Sequence, residues 1–239
     1  MSEWAQKRFW RAAEAAPAPD GWTVELDGRG LSTPARTPLI VPTKGLASAI
    51  AAEWDAQDEQ VRPTAMPLTR AANSAIDKVL PRRADVAEML LAYGETDLIC
   101  YRADAPEGLV AAQEEAWDPL IEWARDALGA PMVATVGMIH VDQPKRARQA
   151  LRAAVIGQDA FALTALHDLV TVSGSLVIGL AAQAGLRPAD ELWTLSRIDE
   201  CWQEQQWGTD ADAAKTAAAQ REAFLSSAEF FRLSRPAAQ

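Results

Sequence analysis

Apolar positions change period along the chain, and the change predicts two kinds of structure. At the start, Ser2 is placed to cap a short helix carrying Trp4, Phe9 and Trp10, which ends before the loop Pro17-Ala18-Pro19-Asp20-Gly21. Trp22, Val24 and Leu26 then alternate with polar residues. Asp27-Gly28-Arg29-Gly30 supplies turn residues that tolerate positive φ, and Leu31 begins a return strand. Leu39-Ile40-Val41, between Pro38 and Pro42, reads as a further short strand. From Thr43, the predicted N-cap, the period becomes helical, with Leu46, Ile50 and Trp54 on one face.

A proline-interrupted stretch from Gln60 to Pro67 follows, and the domain boundary is placed there. Beyond it the chain reads as helix after helix. Leu68, Ala72, Ile76 and Val79 form a stripe that stops at Pro81, and Val86, Leu90 and Tyr93 form the next, closed by Gly94. Asp118 followed by Pro119 is a helix-start signature, placing Leu120, Ile121, Ala124 and Leu128 on a helix that ends at Gly129. Val133 to Val141 suits either an extended segment or a helix. Pro144 opens a helix ending near Gly157, Asp159 caps a long apolar one, Pro188 opens another ending at Gly208, and Asp210 caps the last. The predicted fold class is α+β. Residues 1–62 form a small N-terminal domain with short antiparallel strands and flanking helices, and residues 63–239 form a larger all-α helical domain.

Composition narrows the function. In 239 residues, 33 are acidic and 23 basic, giving a net charge of −10, and no segment gathers Lys and Arg into a phosphate-tracking surface. Nucleic acid and anionic membrane are therefore poor partners, whereas a basic protein surface would be attracted. Leu169 to Leu186 carries no charge, but Thr171, Ser173, Ser175 and Gln183 interrupt it and no Trp or Tyr marks an interface, so it predicts a buried helix rather than stable membrane insertion. The first residues show neither an apolar secretory core nor an Arg-rich transit pattern.

Catalytic constellations are not evident. There is no GxxxxGK[ST] run, and the single G-x-G, Gly28-Arg29-Gly30, continues into Leu31 and Ser32 as a hairpin turn does. His140 and His167 lack metal-ligand spacing, and Cys100 and Cys201 form no CxxC. His167, Asp168 and Ser173 are triad residue types, but neighbours on a helix point apart. No cofactor or metal is predicted.

Nine tryptophans suit cores and interfaces alike. Trp54 completes a core stripe, whereas Trp4 and Trp10 are harder to place in a core. The sharpest segment runs from Leu192 to Gly208. On one continuous helix Leu192, Leu195, Asp199 and Trp202 share a face, which sets a carboxylate in an apolar stripe. Such a carboxylate must find a cation, accept hydrogen bonds, or be completed by a partner. Pairing within the chain, with Arg197 or another basic residue, and completion by a partner are equally open.

Arg8-Phe9-Trp10, the run from Trp22 to Pro34, Pro38 to Pro42, Ala52 to Gln57, Met66 to Arg70, Tyr93 to Leu98 and Trp117 to Leu120 resemble, in that order, the ATP-twelve family of ATP synthase assembly chaperones. Asp199-Glu200, Trp202-Gln203 and Trp207-Gly208 complete the resemblance, which the tail after Gly208 does not share. It implies a chaperone, not an enzyme, that binds the unassembled α subunit of the F-one sector of ATP synthase until that subunit meets β. The implied partner-binding residues are Asp199, Glu200, Trp202, Gln203 and Trp207. Trp10, Trp54, Asp55, Asp97, Trp117 and Asp118 are implied to be structural. The resemblance also implies a bacterial cytoplasmic member, with eukaryotic relatives in the mitochondrial matrix. Two other classes remain open: an enzyme or small-ligand-binding domain using carboxylates such as Asp97, Asp118 and Asp199 in an interdomain cleft, and a permanent subunit of a stable complex.

Overall fold

Asp27 and Gly28, with φ of 48° and 78°, reverse the chain between the strands β2 (Gly21–Leu26) and β3 (Arg29–Gly30). Positive φ at both central residues is the turn that suits the twist of a hairpin. A strand not expected from the sequence, β1 (Ala13–Ala18), pairs antiparallel with β2 from Ala13 opposite Leu26 to Ala18 opposite Gly21. Leu39 and Val41 continue the pairing through the bonds Leu39 N–H to Leu31 and Val41 N–H to Trp22, each carbonyl accepting. The structure, a computed structural model, describes residues 7–137 and 139–236. Ser2 and Trp4 of the expected first helix lie outside them, and residues 7–11 are not helical.

The alanines of β1 favour helix, but tertiary partners decide otherwise. The Asp27 carboxylate accepts the N–H groups of Arg11 and Ala12, and Asp55 accepts that of Ala13 at 3.1 Å. Arg8 donates to the carbonyls of Asp55 and Gln57 and lies over the Trp10 ring, 5.5 Å from its centroid. This sets Trp10 into the core at 3% exposure, 5.1 Å from the ring of Trp54.

Helix α1 (Lys44–Asp55) starts as expected, with the Thr43 hydroxyl accepting the Leu46 N–H. Its far end caps the next helix. The Glu53 carboxylate accepts from the N–H groups of Leu68 and Thr69 and from the Thr69 hydroxyl, satisfying the orphan donors of α2 (Pro67–Ser74). The stripe does not stop at Pro81. A π turn over Ala75–Val79 and a 3₁₀ turn over Leu80–Arg82 carry the chain on into α3 (Arg83–Glu95). Widening the turn makes room for the proline ring and for its missing donor.

By contacts the chain groups into two units, each discontinuous in sequence: Met1–Arg83 with Asp159–Ala165 and Glu229–Gln239, and Ala84–Gln158 with Leu166–Ala228. The first holds the sheet and a core that includes Val24, Leu46, Ile50 and Phe230. There Phe161 stacks on Phe230 at 6.0 Å, and the Thr43 hydroxyl donates to the Leu233 carbonyl.

The second unit is helical apart from one short pairing, β4 (Tyr101–Arg102) beside β5 (Thr135–Val136), so within the stretch left open by the sequence Thr135 and Val136 are extended. Helix α4 (Glu107–Ala127) runs straight through Pro119, so Asp118 is not an N-cap. A proline inside a helix costs about 3 kcal/mol. The buried face that continues on both sides, with Gln113, Ala116 and Trp117 before it and Leu120 and Ala124 after, offsets that cost. Helix α5 (Lys145–Ile156) follows Pro144 as expected.

The uncharged stretch from Leu169 is not one helix. Gly174, at φ 75°, separates α6 (Ala160–Ser173), capped by Asp159, from α7 (Leu176–Ala184), capped by Ser175. Asp97, wholly buried, accepts the N–H groups of Val177 and Ile99 and so secures this break. No helix among the described residues is long and apolar enough to cross a membrane. The helix expected from Pro188 to Gly208 is also two: α8 (Ala189–Leu195) and α9 (Ile198–Trp207), broken at Ser196 and Arg197. Asp210 caps α10 (Ala211–Ser234).

Two outcomes follow for stability. Trp54→Arg puts a cation where a ring packs on Trp10 and should lower stability by about 3–5 kcal/mol in chemical denaturation. Unaltered melting would make Trp54 a contact residue instead. For Asp97, burial pushes the carboxyl up from 3.8 to about 6, against the opposing hydrogen bonds from Ser175 and the amides of Val177, Ile99 and Leu176. The folded chain therefore binds this proton more tightly than the unfolded chain. The penalty is absent below about pH 4, grows up to about pH 6 and is complete above it, amounting to about 3 kcal/mol. Melting of the parent relative to Asp97→Asn should thus improve as pH falls from 7 to 4, and a pH-independent difference would contradict this.

Candidate functional site

Helix α9 is held by α4 rather than by continuity with α8. The Trp117 indole N–H donates to the Leu195 carbonyl at 2.7 Å, at the very end of α8 where the break begins. At the other end of the contact, Trp202 lies on Gly108. A Cβ at position 108 would stand 2.6 Å from the Trp202 ring, so only glycine lets the indole lie this close to α4.

Between these two supports sits Asp199, in the first turn of α9, where a helix favours negative charge. Its carboxylate accepts from the Gln113 side-chain amide at 2.6 Å. The expected continuous helical face with Leu192 and Leu195 does not form, because the helix is broken at Ser196 and Arg197. The carboxylate is half-buried and its partner is Gln113, not Arg197. Arg197 instead pairs with Glu204 at 3.1 Å and lies over the Trp193 ring.

Gln113 is 2% exposed and works in three directions. Its amide donates to Asp199, its side-chain oxygen accepts the Ala103 N–H at 2.8 Å, and its backbone carbonyl accepts from Arg102 at 2.9 Å. Arg102, itself buried, donates further to the Ile99 carbonyl and to Asp118 at 2.8 Å, and stacks over Trp117 with 5.3 Å to the ring centroid. One connected network therefore joins β4, α4 and α9.

Two shallow clefts flank α9. One, of about 440 Å³, is lined by residues that include Tyr101, Asp104, Gln113, Gly137, Asp199 and Trp202. The other, also about 440 Å³, includes Arg197, Glu200, Glu204, Asp210 and Gln220. Gln203 and Trp207 line both. The adjacent acids Asp199 and Glu200 thus face different clefts, with Trp207, 80% exposed, on the ridge between them. Such a surface offers an apolar ring with carboxylates on either side, which matches an apolar segment carrying basic groups.

The structure brings together Asp199, Glu200, Trp202, Gln203 and Trp207 on α9; on α4, Trp117 reaches the end of α8 and Asp118 pairs with Arg102. Asp97 is separate, at the α7 cap, and Trp10, Trp54 and Asp55 belong to the first unit's core and its staples. Arg102 and Gln113 were not found from the sequence. Gln113 lies four residues before Trp117 and seven before Leu120, a polar side chain on a buried helical face, and that signal is visible only when Pro119 is not taken as a helix start. His167 and Asp168 do meet, at 2.7 Å, despite being neighbours, but Ser173 is buried and donates to the Leu169 carbonyl. Cys100 is buried and its thiol is pushed up to about 12 by burial and by the nearby Asp97.

The sequence model of the ATP12 chaperone protein family matches residues 7–125. The crystal structure of Atp12 from Paracoccus denitrificans is 51% identical, with a TM-score of 0.94, covering 98% of this chain and 100% of that one. The Atu1473 protein of Agrobacterium tumefaciens is 38% identical with a TM-score of 0.88, covering 93% of this chain and 85% of that one. Protein atp12, mitochondrial, of Schizosaccharomyces pombe is 25% identical over 219 residues, 87% of this chain and 75% of that protein.

The network makes Arg102 hard to replace. Lysine keeps the charge but cannot serve three acceptors and stack on a ring at once. Arg102→Lys should therefore cost about 2–3 kcal/mol in urea denaturation, whereas Arg125→Lys, which disturbs only the exposed pair with Asp126, should leave the midpoint unmoved. Equal effects of the two would show that the network does not organise the site.

Proposed function

This chain belongs to the ATP12 chaperone protein family, and we propose that it binds the unassembled α subunit of the ATP synthase catalytic head and keeps it from aggregating until it pairs with β. The observation that carries this reading is α9: a helix fixed from below by buried hydrogen bonds, presenting an exposed tryptophan with acids on both sides. A subunit awaiting its partner exposes apolar surface that otherwise drives non-specific association. A holder covers that surface without competing with the final assembly, so its interface is small and polar at the rim. The β subunit then displaces it by forming the larger contact. On this reading the chain acts by binding rather than by catalysis, and it meets its client in the bacterial cytoplasm.

In light scattering, the purified chain should suppress aggregation of isolated α subunit at near-equal molar ratio without added nucleotide. Unchanged scattering, or protection that depends on nucleotide hydrolysis by this chain, would refute the proposal. Within it, Asp199→Asn and Glu200→Gln keep shape while removing charge, and should weaken α-subunit binding by roughly tenfold each with thermal melting unchanged. That exceeds the roughly 0–1 kcal/mol of an exposed ion pair and would indicate desolvated contacts. Binding within twofold of the parent would move the client surface elsewhere, and binding that falls in step with melting would make the acids structural.

A further inference from the structure

The strand β5 is open on one side. In its parallel pairing with β4, Arg102 stands opposite Val136, and the Gly137 N–H donates to the Arg102 carbonyl at 2.8 Å. Residues alternate sides along a strand, so the N–H and C=O of Val136 point away from β4, towards the edge where no further described strand lies. Natural edge strands are usually blunted by brevity, charge, proline or a covering element, and β5, two residues long, has the first of these. From Met132 to Ile139 there is neither charge nor proline, and Val136 and Ile139 are 65% and 79% exposed.

Val133, before the strand, and His140, after it, are nevertheless held in place. The buried Gln143 amide both donates to the Val133 carbonyl and accepts the Val133 N–H, each at 2.9 Å, as a neighbouring strand would. Tyr101 and Asp142 bracket the His140 ring at 3.1 Å each. An edge fixed in extended form gives up little conformational entropy when another strand adds to it. Gly137 also lines the cleft that holds Asp104, Asp199 and Trp207. The open edge, the apolar ring and the acids thus meet at one place.

We infer that this edge receives the client as an added β-strand: an extended segment with alternating apolar residues and basic flanks, its backbone paired with Val136, its apolar side chains against Ile139 and Trp207, and its cations towards Asp104 and Asp199. Backbone pairing supplies affinity with little sequence demand, and the apolar and acidic neighbours supply selection. The inference rests on the chaperone reading and deepens it, since an unassembled subunit is a source of unpaired strands.

The test uses the full chain and a fluorescein-labelled peptide of alternating valine and threonine with a lysine at each end, followed by anisotropy. Saturable binding is expected. Val136→Pro removes the outward N–H without touching the bonds to β4 and should weaken binding at least fivefold, whereas Val136→Ala, which keeps that N–H, should weaken it less than Val136→Pro does. A peptide N-methylated at alternate residues, or one with glutamate ends, should also bind at least fivefold more weakly. Absence of saturable binding, Val136→Pro binding as the parent does, or glutamate ends binding as lysine ends do would each overturn the inference. Protection of the α subunit unaffected by Val136→Pro overturns the strand-addition inference and leaves the chaperone role standing. Peptide binding without α-subunit protection does the reverse.

Discussion

A buried guanidinium is the constraint from which the helical unit's working surface follows. Arg102 cannot shed its charge, so its burial obliges the chain to bring acceptors to it: the carbonyls of Ile99 and Gln113, the Asp118 carboxylate, and the face of Trp117. Meeting that demand fixes β4 in place and sets the register of α4. The register in turn puts Gln113 under Asp199, Trp117 under the end of α8, and Gly108 under Trp202. The position of α9 is thus a consequence of satisfying one cation. Because β5 pairs with the strand that carries Arg102, the open edge shares the same foundation.

Much of the acidic surplus acts inward in the same manner. Glu53 caps α2, Asp55 holds the start of β1, and Asp97 secures the α7 cap. Asp77 accepts the Thr33 hydroxyl and the Ala35 N–H, tying the loop after the hairpin to the π turn. Each carboxylate meets backbone or hydroxyl donors that would otherwise be left without partners at a helix end or chain reversal. Several lie in the segments that carry the family resemblance, among them Glu53, Asp55 and Asp97, and their geometry is that of staples. On α9 the balance differs: Asp199 spends one oxygen on Gln113, and Glu200 is exposed. A chain that turns Asp27, Glu53, Asp55 and Asp97 on its own backbone and presents Asp199 and Glu200 beside an exposed tryptophan is divided between holding itself and holding a partner.

Local chemistry settled a good part of the fold. The Asp27-Gly28 reversal, the Thr43, Asp159 and Asp210 caps and the helix after Pro144 were all legible in sequence, because each depends on residues within one turn of one another. The acids and tryptophans of α9 were legible as a group for the same reason. What tertiary structure alone decided were the places where distant partners override local preference. Alanine-rich Ala13–Ala18 became a strand because β2 offered an edge and Asp27 and Asp55 took the neighbouring donors. Pro81 did not stop its stripe because a π turn and a 3₁₀ turn accommodate it, and Pro119 did not start a helix because the buried face of α4 continues on both sides of it. Helices α8 and α9 separated where a backbone carbonyl was claimed by Trp117, an indole far away in sequence, and no period within residues 189–207 could have shown it. Asp199 found Gln113 for the same reason: sequence gives the need of a buried carboxylate for a donor, but only the fold decides which side chain arrives to meet it.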